Sequence, residues 1–469
     1  MTSLLSSLQG VSAALGAYSQ ALGAEQNNVS NSATPGYAAV RAVIQPVGFG
    51  AGGGTDTVVL QSAGSAQADA IVQAATSQAS DSQTQTQQLG LVNQQFDITG
   101  STGILAALQQ FSTAFASLAV TPSDPSVTQG ALSAAGNVAV AFNTVAESLD
   151  TQSQSLQSSA QSTVSQINNL AGQIAQYNVE VRGQTELNPG VDASQRSALT
   201  QLSSLVGVTV NKNVDGTLNV LAGGSIPLVL GDQAYSLQAN LAAAPGSQIT
   251  STGGGASLSA TSGASLSGTL GGLVDTYNNT IAPRLGGNSQ AGSLNTLAQG
   301  FASTVNSLLT SGATTSGTPG VPIFTYDTTN SSNVARSLAV SSSVTPDQVA
   351  VATTGSAAQS NGVANQLAGL AGSSNPAYQI GGLAPQDYFS LIAQSVGQKL
   401  SDFTAQSTSD QTSLTSATAN QTAVEGVSLD QEAVNITGYQ RAWEASAKLV
   451  SVIDNLTLDA VNLVGIQDS

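Results

Sequence analysis

The chain has 469 residues, no Cys and no His, and 26 acidic against 9 basic side chains, for a formal charge of −17. That length allows about two to four domains around a sizeable core. The missing thiol and imidazole remove the usual nucleophile, base and soft metal ligands, and the scarcity of Lys and Arg leaves no stripe for nucleic-acid phosphates or anionic membranes. Charged residues make up only 7%, yet hydrophobic residues reach 41% and recur with helical period, which a disordered chain lacks the apolar content to do.

In chain order, Leu4, Leu8, Val11, Leu15, Tyr18 and Leu22 alternate steps of four and three, the seam pattern of a coiled coil. Gly10, Gly16 and Gly23 each cost up to about 1 kcal/mol relative to Ala inside a helix, so this helix is expected to order only when another helix covers the stripe. The stretch NNVSNSATPGY closes it: Asn27, Asn28 and Asn31 bond backbone locally, Pro35 and Gly36 cannot continue a helix, and Tyr37 follows. Gly48, Gly50 and Gly53 match a phosphate-loop spacing, but a strand pattern follows where that loop needs a helix, so a turn is expected.

Asp124-Pro125 supplies an N-cap and a proline at the first helical position. No breaker follows before Gly183, and Phe142, Leu149, Leu156, Leu170 and Tyr177 sit on multiples of seven. A continuous helix here would be about 87 Å long, which favours a rod. From Val206 to Leu237 the period changes to alternation, and Asp215-Gly216 signals a two-residue hairpin turn with positive φ. Gly and Ser dominate from Pro245 to Gly268 and read as a flexible loop. A helical seam runs from Leu273 to Leu309 with a kink expected at Pro283, and another runs through Tyr388, Ile392, Val396, Leu400 and Phe403. Ser428 with Gln431 and Glu432 starts the last helix, whose apolar face carries Ile436, Tyr439, Trp443, Val450 and Ile453. Trp443 is expected to bury its indole against the N-terminal helix.

No nucleophile with a base, paired carboxylate or calcium loop can be built from the spacing, and Lys399 and Lys448 read as solvated helix faces. No cofactor, metal or enzyme activity is expected. No stretch approaches the roughly 18 consecutive apolar residues of a membrane span, and MTSLLSSLQG lacks the basic start of a cleaved signal peptide.

The residues that close the first helix and open the last carry a resemblance. NNVSNSATPGY, with GVSLDQEAVN and YQRAWEASAKLVSVIDNL, resembles the paired terminal signatures of bacterial flagellar axial proteins, and GVSLDQEA is most similar to the hook-associated protein 1 (hook-filament junction) family. LQQFSTAFASLAVTPSDPSV, INNLAGQIAQYNVEV, SLVGVTVNKNVDGTLNV and SGTLGGLVDTYNNTIAPRL resemble successive interior segments of that family. Departures are Ser197, where members commonly carry Asp, and Thr437 and Gly438, where a longer apolar residue and a basic or polar one are usual.

The resemblance implies a mainly α fold with coiled-coil-like terminal helices, an elongated helical rod domain and a small antiparallel β region. Because only TTNSS separates IFTYD from NVARSLAV, the variable outer β domain is expected to be missing. The implied division is 1–45 for the N-terminal helix of an inner-tube domain and 46–205 for the first part of the rod. The β region and Gly/Ser loop would take 206–260, the rest of the rod 261–424, and the C-terminal inner-tube helix 425–469. Implied partners are other copies of the chain, the hook protein, a second hook-filament junction protein and an export chaperone on the C-terminal helix. The implied location is the extracellular flagellum, reached through the flagellar type III system without a cleaved signal. The assembly surface would comprise Leu4, Leu8, Val11, Leu15, Tyr18, Leu22, Asn28, Asn31, Pro35, Gly36, Tyr37, Ile436, Tyr439, Trp443, Val450 and Ile453. Alternatives are another axial protein of the hook or distal rod, or a secreted Ser/Thr/Gly-rich adhesin.

Overall fold

The apolar stripe at the start of the chain folds as helix α1 (Thr2–Asn31). The computed structural model describes residues 2–47, 55–96, 102–182, 188–244, 246–252, 257–258, 266–287, 290–355 and 359–465. After α1 come the hairpin strands β1 (Val40–Val47) and β2 (Thr55–Ser62), then α2 (Ala66–Asn93), α3 (Gly103–Val120), α4 (Pro125–Val181) and α5 (Pro189–Leu205). Gly48, Gly50 and Gly53 lie outside the described residues. β3 (Val208–Lys212), β4 (Leu218–Ala222), β5 (Ile226–Leu230) and β6 (Gln233–Ala234) form one antiparallel sheet, and β7 (Ser236–Ala239), β8 (Ile249–Thr252) and β9 (Ser257–Leu258) another. Then follow α6 (Gly268–Thr276), α7 (Ala282–Leu285), α8 (Ser293–Ser311), β10 (Phe324–Thr325), α9 (Val334–Ser337), β11 (Ala339–Val340), α10 (Gly362–Ala368), α11 (Pro385–Glu425) and α12 (Leu429–Gly465).

The local signals explain several of these boundaries. Asp124 caps α4 through its carboxylate, which accepts from the Ser126 N–H at 2.8 Å, and α4 then runs for 57 residues without interruption. The kink expected at Pro283 takes the form of a π-turn over Tyr277–Ile281, because proline has no N–H to continue the ladder behind it. Part of the expected Gly/Ser loop is ordered as β8 paired with β9.

Two compact units are interleaved in sequence, so neither coincides with a single span of the division implied by the resemblance. The first comprises 1–77, 167–236 and 411–469; the second comprises 78–166 and 237–410.

In the first unit, α1 pairs with α12, β1 pairs in full register with β2, and the four-stranded sheet closes onto the end of α4 and onto α5. Fully buried Asn178 on α4 holds that junction. Its amide donates to the carbonyls of Leu218 at 2.8 Å and Gly231 at 2.5 Å, while its oxygen accepts from Leu218 N at 2.9 Å and Gln195 Nε2 at 3.0 Å. Such saturation is what lets a buried amide stabilise rather than cost. The β3–β4 connection corrects the expected two-residue turn. Asn213 N–H bonds to the Thr217 carbonyl, so Val214, Asp215 and Gly216 make a three-residue loop, with Gly216 at positive φ (+84°).

In the second unit, the core is built on phenylalanines. Phe111 lies 4.5 Å from Phe115 and 5.2 Å from Phe301 between ring centroids, and Phe301 lies 5.9 Å from Phe324. α3 is long and apolar enough to cross a membrane by composition, yet Leu108, Phe111, Phe115 and Leu118 are fully buried here as core. Residues 328–332, where an outer domain would be inserted, form a short turn. The Asp327 carboxylate accepts there from Thr329 N, Thr329 Oγ1 and Asn330 N. Lys399 departs from the solvated-face expectation: it is half-buried and donates to the Asn279 carbonyl.

Candidate functional site: the paired terminal helices

The chain's two ends meet along α1 and α12. Each presents the stripe that its spacing predicts: Leu8, Val11, Leu15, Tyr18 and Leu22 on α1, and Ile436, Tyr439, Val450 and Ile453 on α12, are all half-buried. Leu4 lies in α1, and its side chain is outside the described residues. Ala17, Ala21 and Ala24 are buried between the larger residues, where a small side chain lets a neighbouring backbone approach. Tyr18 and Tyr439 pack with ring centroids 6.4 Å apart.

Asn28, near the end of α1, is the knot of this region. It is 1% exposed, and its amide oxygen accepts from Val40 N at 2.8 Å and from the Tyr37 hydroxyl at 2.9 Å. Its amide nitrogen donates to the Val40 carbonyl at 2.9 Å and to Glu432 Oε2 on α12 at 3.1 Å. One side chain thus fixes the exit of α1, the start of β1 and the first turn of α12. Asn31, Pro35 and Gly36 serve the turn instead. Asn31 donates to the Asn27 carbonyl at 2.9 Å and accepts from Thr34 Oγ1 at 3.2 Å; Pro35 is exposed, and Gly36 adopts φ +78°.

Trp443 corrects the sequence expectation. It lies four residues beyond Tyr439, roughly 40° round the helix. Its indole stays 43% exposed rather than buried in the seam. Val434, Leu449, Val452, Leu456, Leu458 and Val461 are also exposed on α12, among charged residues such as Arg441, Glu444 and Lys448, so α12 keeps apolar side chains that α1 does not cover.

Sequence reasoning missed three polar members of the site. Glu25 and Glu432, 3% and 6% exposed, face each other across the seam, and Asn435 donates to Glu25 Oε1 at 3.3 Å. Burial, then hydrogen bonding and repulsion from Glu432, push the Glu25 carboxyl up to about 7. The signal was present: Glu25 continues the stripe three residues past Leu22, and Glu432 precedes Ile436 by four.

Glu432 also departs from its expected capping role, since it turns to Asn28 instead. Below the seam, Arg196 on α5 reaches Glu425 at 2.9 Å and Asp69 at 3.6 Å, and Glu425 accepts from Ser65 N at 2.6 Å. Gly64 makes room for this guanidinium: a Cβ there would lie 1.5 Å from Arg196 Nη2. Burial raises the carboxyls of both Asp69 and Glu425 despite the arginine. This ionic knot ties α2, α5 and the end of α11 beneath α12. Among the described residues no group of three His, Cys, Asp or Glu side chains is placed to hold a metal.

Comparison with known proteins adds a family to this geometry. A model described as the flagellar hook-associated protein FlgK helical domain matches residues 89–324, and one described as the flagellar basal body rod FlgEFG protein C-terminal matches residues 422–463. Flagellar hook-associated protein 1 of Escherichia coli (strain K12) is 25% identical over 247 residues, which is 50% of this chain and 45% of the relative. Its counterpart in Salmonella typhimurium is 26% identical over 247 residues, or 50% and 44%. The match therefore spans less than half the length of these curated relatives. A solved structure described as the flagellar hook junction protein FlgK from Burkholderia pseudomallei shares the fold, with a TM-score of 0.59 and 17% identity over 75% of this chain and 99% of that one. By the match to its helical domain, this chain belongs to the flagellar hook-associated protein FlgK family.

Proposed function

We propose that this chain is a structural axial protein of the bacterial flagellum, placed at the junction of hook and filament and assembled through its paired terminal helices. The observation that carries the reading is α12: α1 covers its seam, and Trp443, Leu449, Val452 and Leu456 are left open to neighbouring copies. Large apolar side chains exposed together on one helix mark an interaction surface. The remaining covers are other copies of the chain, with the hook protein and a second junction protein at either end of the ring. Before assembly an export chaperone on α12 would keep this surface from aggregating. The named relatives, both hook-associated proteins, support this placement, as does the basal-body-rod C-terminal match over α12. The reading places the chain on the extracellular flagellum, delivered by the flagellar export system, with no catalytic role.

The test is genetic. Cells lacking the chain should build hooks but shed filament subunits into the medium, and expression of the wild-type chain should restore filaments. A double substitution Leu449→Asp/Val452→Asp should fail to restore them while the purified chain remains folded. Normal filaments on cells lacking the chain would overturn the assignment.

A further inference from the structure

Among the described residues, the seam between α1 and α12 contains two buried carboxylates and no basic side chain beside them. Glu25 Oε2 is buried without a hydrogen-bond donor, while Glu25 Oε1 takes the Asn435 amide and Glu432 Oε2 takes the Asn28 amide. The other groups facing the pair are hydroxyls: Tyr18 on α1, Tyr37 on the turn that follows it and Tyr439 on α12. Burial first, and then the two glutamates, raise the Tyr439 hydroxyl above its ordinary value; burial and Glu432 do the same to Tyr37. A phenol offers a hydrogen bond but no positive charge. On β1 the nearest base is Arg41 and on α12 it is Arg441, both exposed and without an ion pair among the described residues, and β2 has no charged residue from Thr57 to Ser62.

Two ionised carboxylates buried face to face repel each other strongly, and burial removes the solvation that would offset it. We propose that Glu25 and Glu432 hold one proton between them, so that pairing of the chain's two ends is a proton-linked switch: the seam closes on taking up that proton and loosens on losing it. The proton would bridge Glu25 Oε2, the acceptor left without a donor, to the facing carboxylate. The direction follows from linkage. Glu25 moves from 4.5 to about 7 in the folded seam, so its contribution is fully present below pH 4.5 and is lost as pH rises through about 7. Over that interval the equilibrium for pairing falls with rising pH, by at most about tenfold per pH unit for one proton, and then levels off. The switch rests on the observed helix pair and not on the hook-filament assignment, and it can be tested without a flagellum.

The full-length chain has no cysteine, so a pair introduced at exposed Ser19 and Gln440, beside the Tyr18–Tyr439 contact, can carry two spin labels. Their distance distribution should be narrow at about pH 5 and broaden towards about pH 8. In the same background Glu25→Gln and Glu432→Gln, which keep an acceptor oxygen but cannot ionise, should each stay narrow across the range. As a second measurement on the unlabelled chain, the infrared band of a protonated carboxyl at about pH 6 should lose intensity in Glu25→Gln relative to wild type. A wild-type distribution independent of pH, glutamine variants that broaden as wild type does, or an infrared difference of zero would each overturn the switch.

Discussion

Replacing Asn28 with Ala tests whether one buried amide locks the two ends of the chain together. The substitution removes four hydrogen bonds at once and leaves the Val40 N–H, the Val40 carbonyl and Glu432 Oε2 without that partner, while the half-buried Tyr37 hydroxyl can turn to water. Each buried polar group stranded in this way costs about 1 to 3 kcal/mol, and partial hydration of the new gap recovers some of that, so a loss of about 3 kcal/mol is expected. Backbone amide exchange in the full-length chain reads it locally: a loss of that size accelerates exchange in the last turns of α1 by roughly 100-fold. Exchange at Phe111 and Phe115, in the other unit, serves as the control. If α1 exchanges within threefold of wild type, on the order of 0.6 kcal/mol, Asn28 does not hold the seam and the reasoning fails.

Gly216→Val should destabilise the four-stranded sheet by more than about 1 kcal/mol, because a β-branched residue is strained at φ +84° and its Cβ would lie 2.8 Å from Val181 Cγ1; urea unfolding followed by sheet-region exchange measures it. Arg196→Met should cost about 3 kcal/mol at pH 8 by stranding Glu425 and Asp69, whose side chains are 6% and 17% exposed. That cost should shrink in acid as the two carboxyls protonate, and a pH-independent loss in thermal melts would contradict it. Asp81→Asn should stabilise the second unit on the order of 2 kcal/mol at pH 8 and not at about pH 4, because burial first, with repulsion from Asp275 and Asp410, pushes Asp81 up to about 7. A carboxyl raised in this way weakens the fold as pH climbs past its unfolded value, and Asn removes that penalty while its side-chain oxygen can still accept from Gln85 Nε2. Trp443→Ala should leave the melting temperature of the isolated chain nearly unchanged, with a loss below about 1 kcal/mol, since the indole is 43% exposed; it should nonetheless impair filament attachment.

The amino-acid sequence by itself determined what depends on near neighbours. Alternating steps of three and four from Leu8 to Leu22, and steps of three, four, seven and three from Ile436 to Ile453, specify one apolar face per helix, and Asp124-Pro125 specifies where α4 begins, because helix periodicity and capping involve residues within one or two turns. The asparagine cluster and Pro35-Gly36 likewise mark the end of α1. What the tertiary structure decided are the pairings across long stretches of chain. Asn28 meets Glu432 across 404 residues, and Arg196 meets Glu425 across 229. Periodicity carries the direction of a side chain but not the identity of what faces it. Glu25 reads in the sequence as one polar interruption of a stripe, and only when α12 closes over it do burial and then a second carboxylate raise its affinity for a proton. Trp443 shows the converse: its register places it near the seam, yet the folded chain leaves the one tryptophan 43% exposed. Local periodicity is set by bonds along the backbone; burial and charge are set by which surfaces the folded chain brings together.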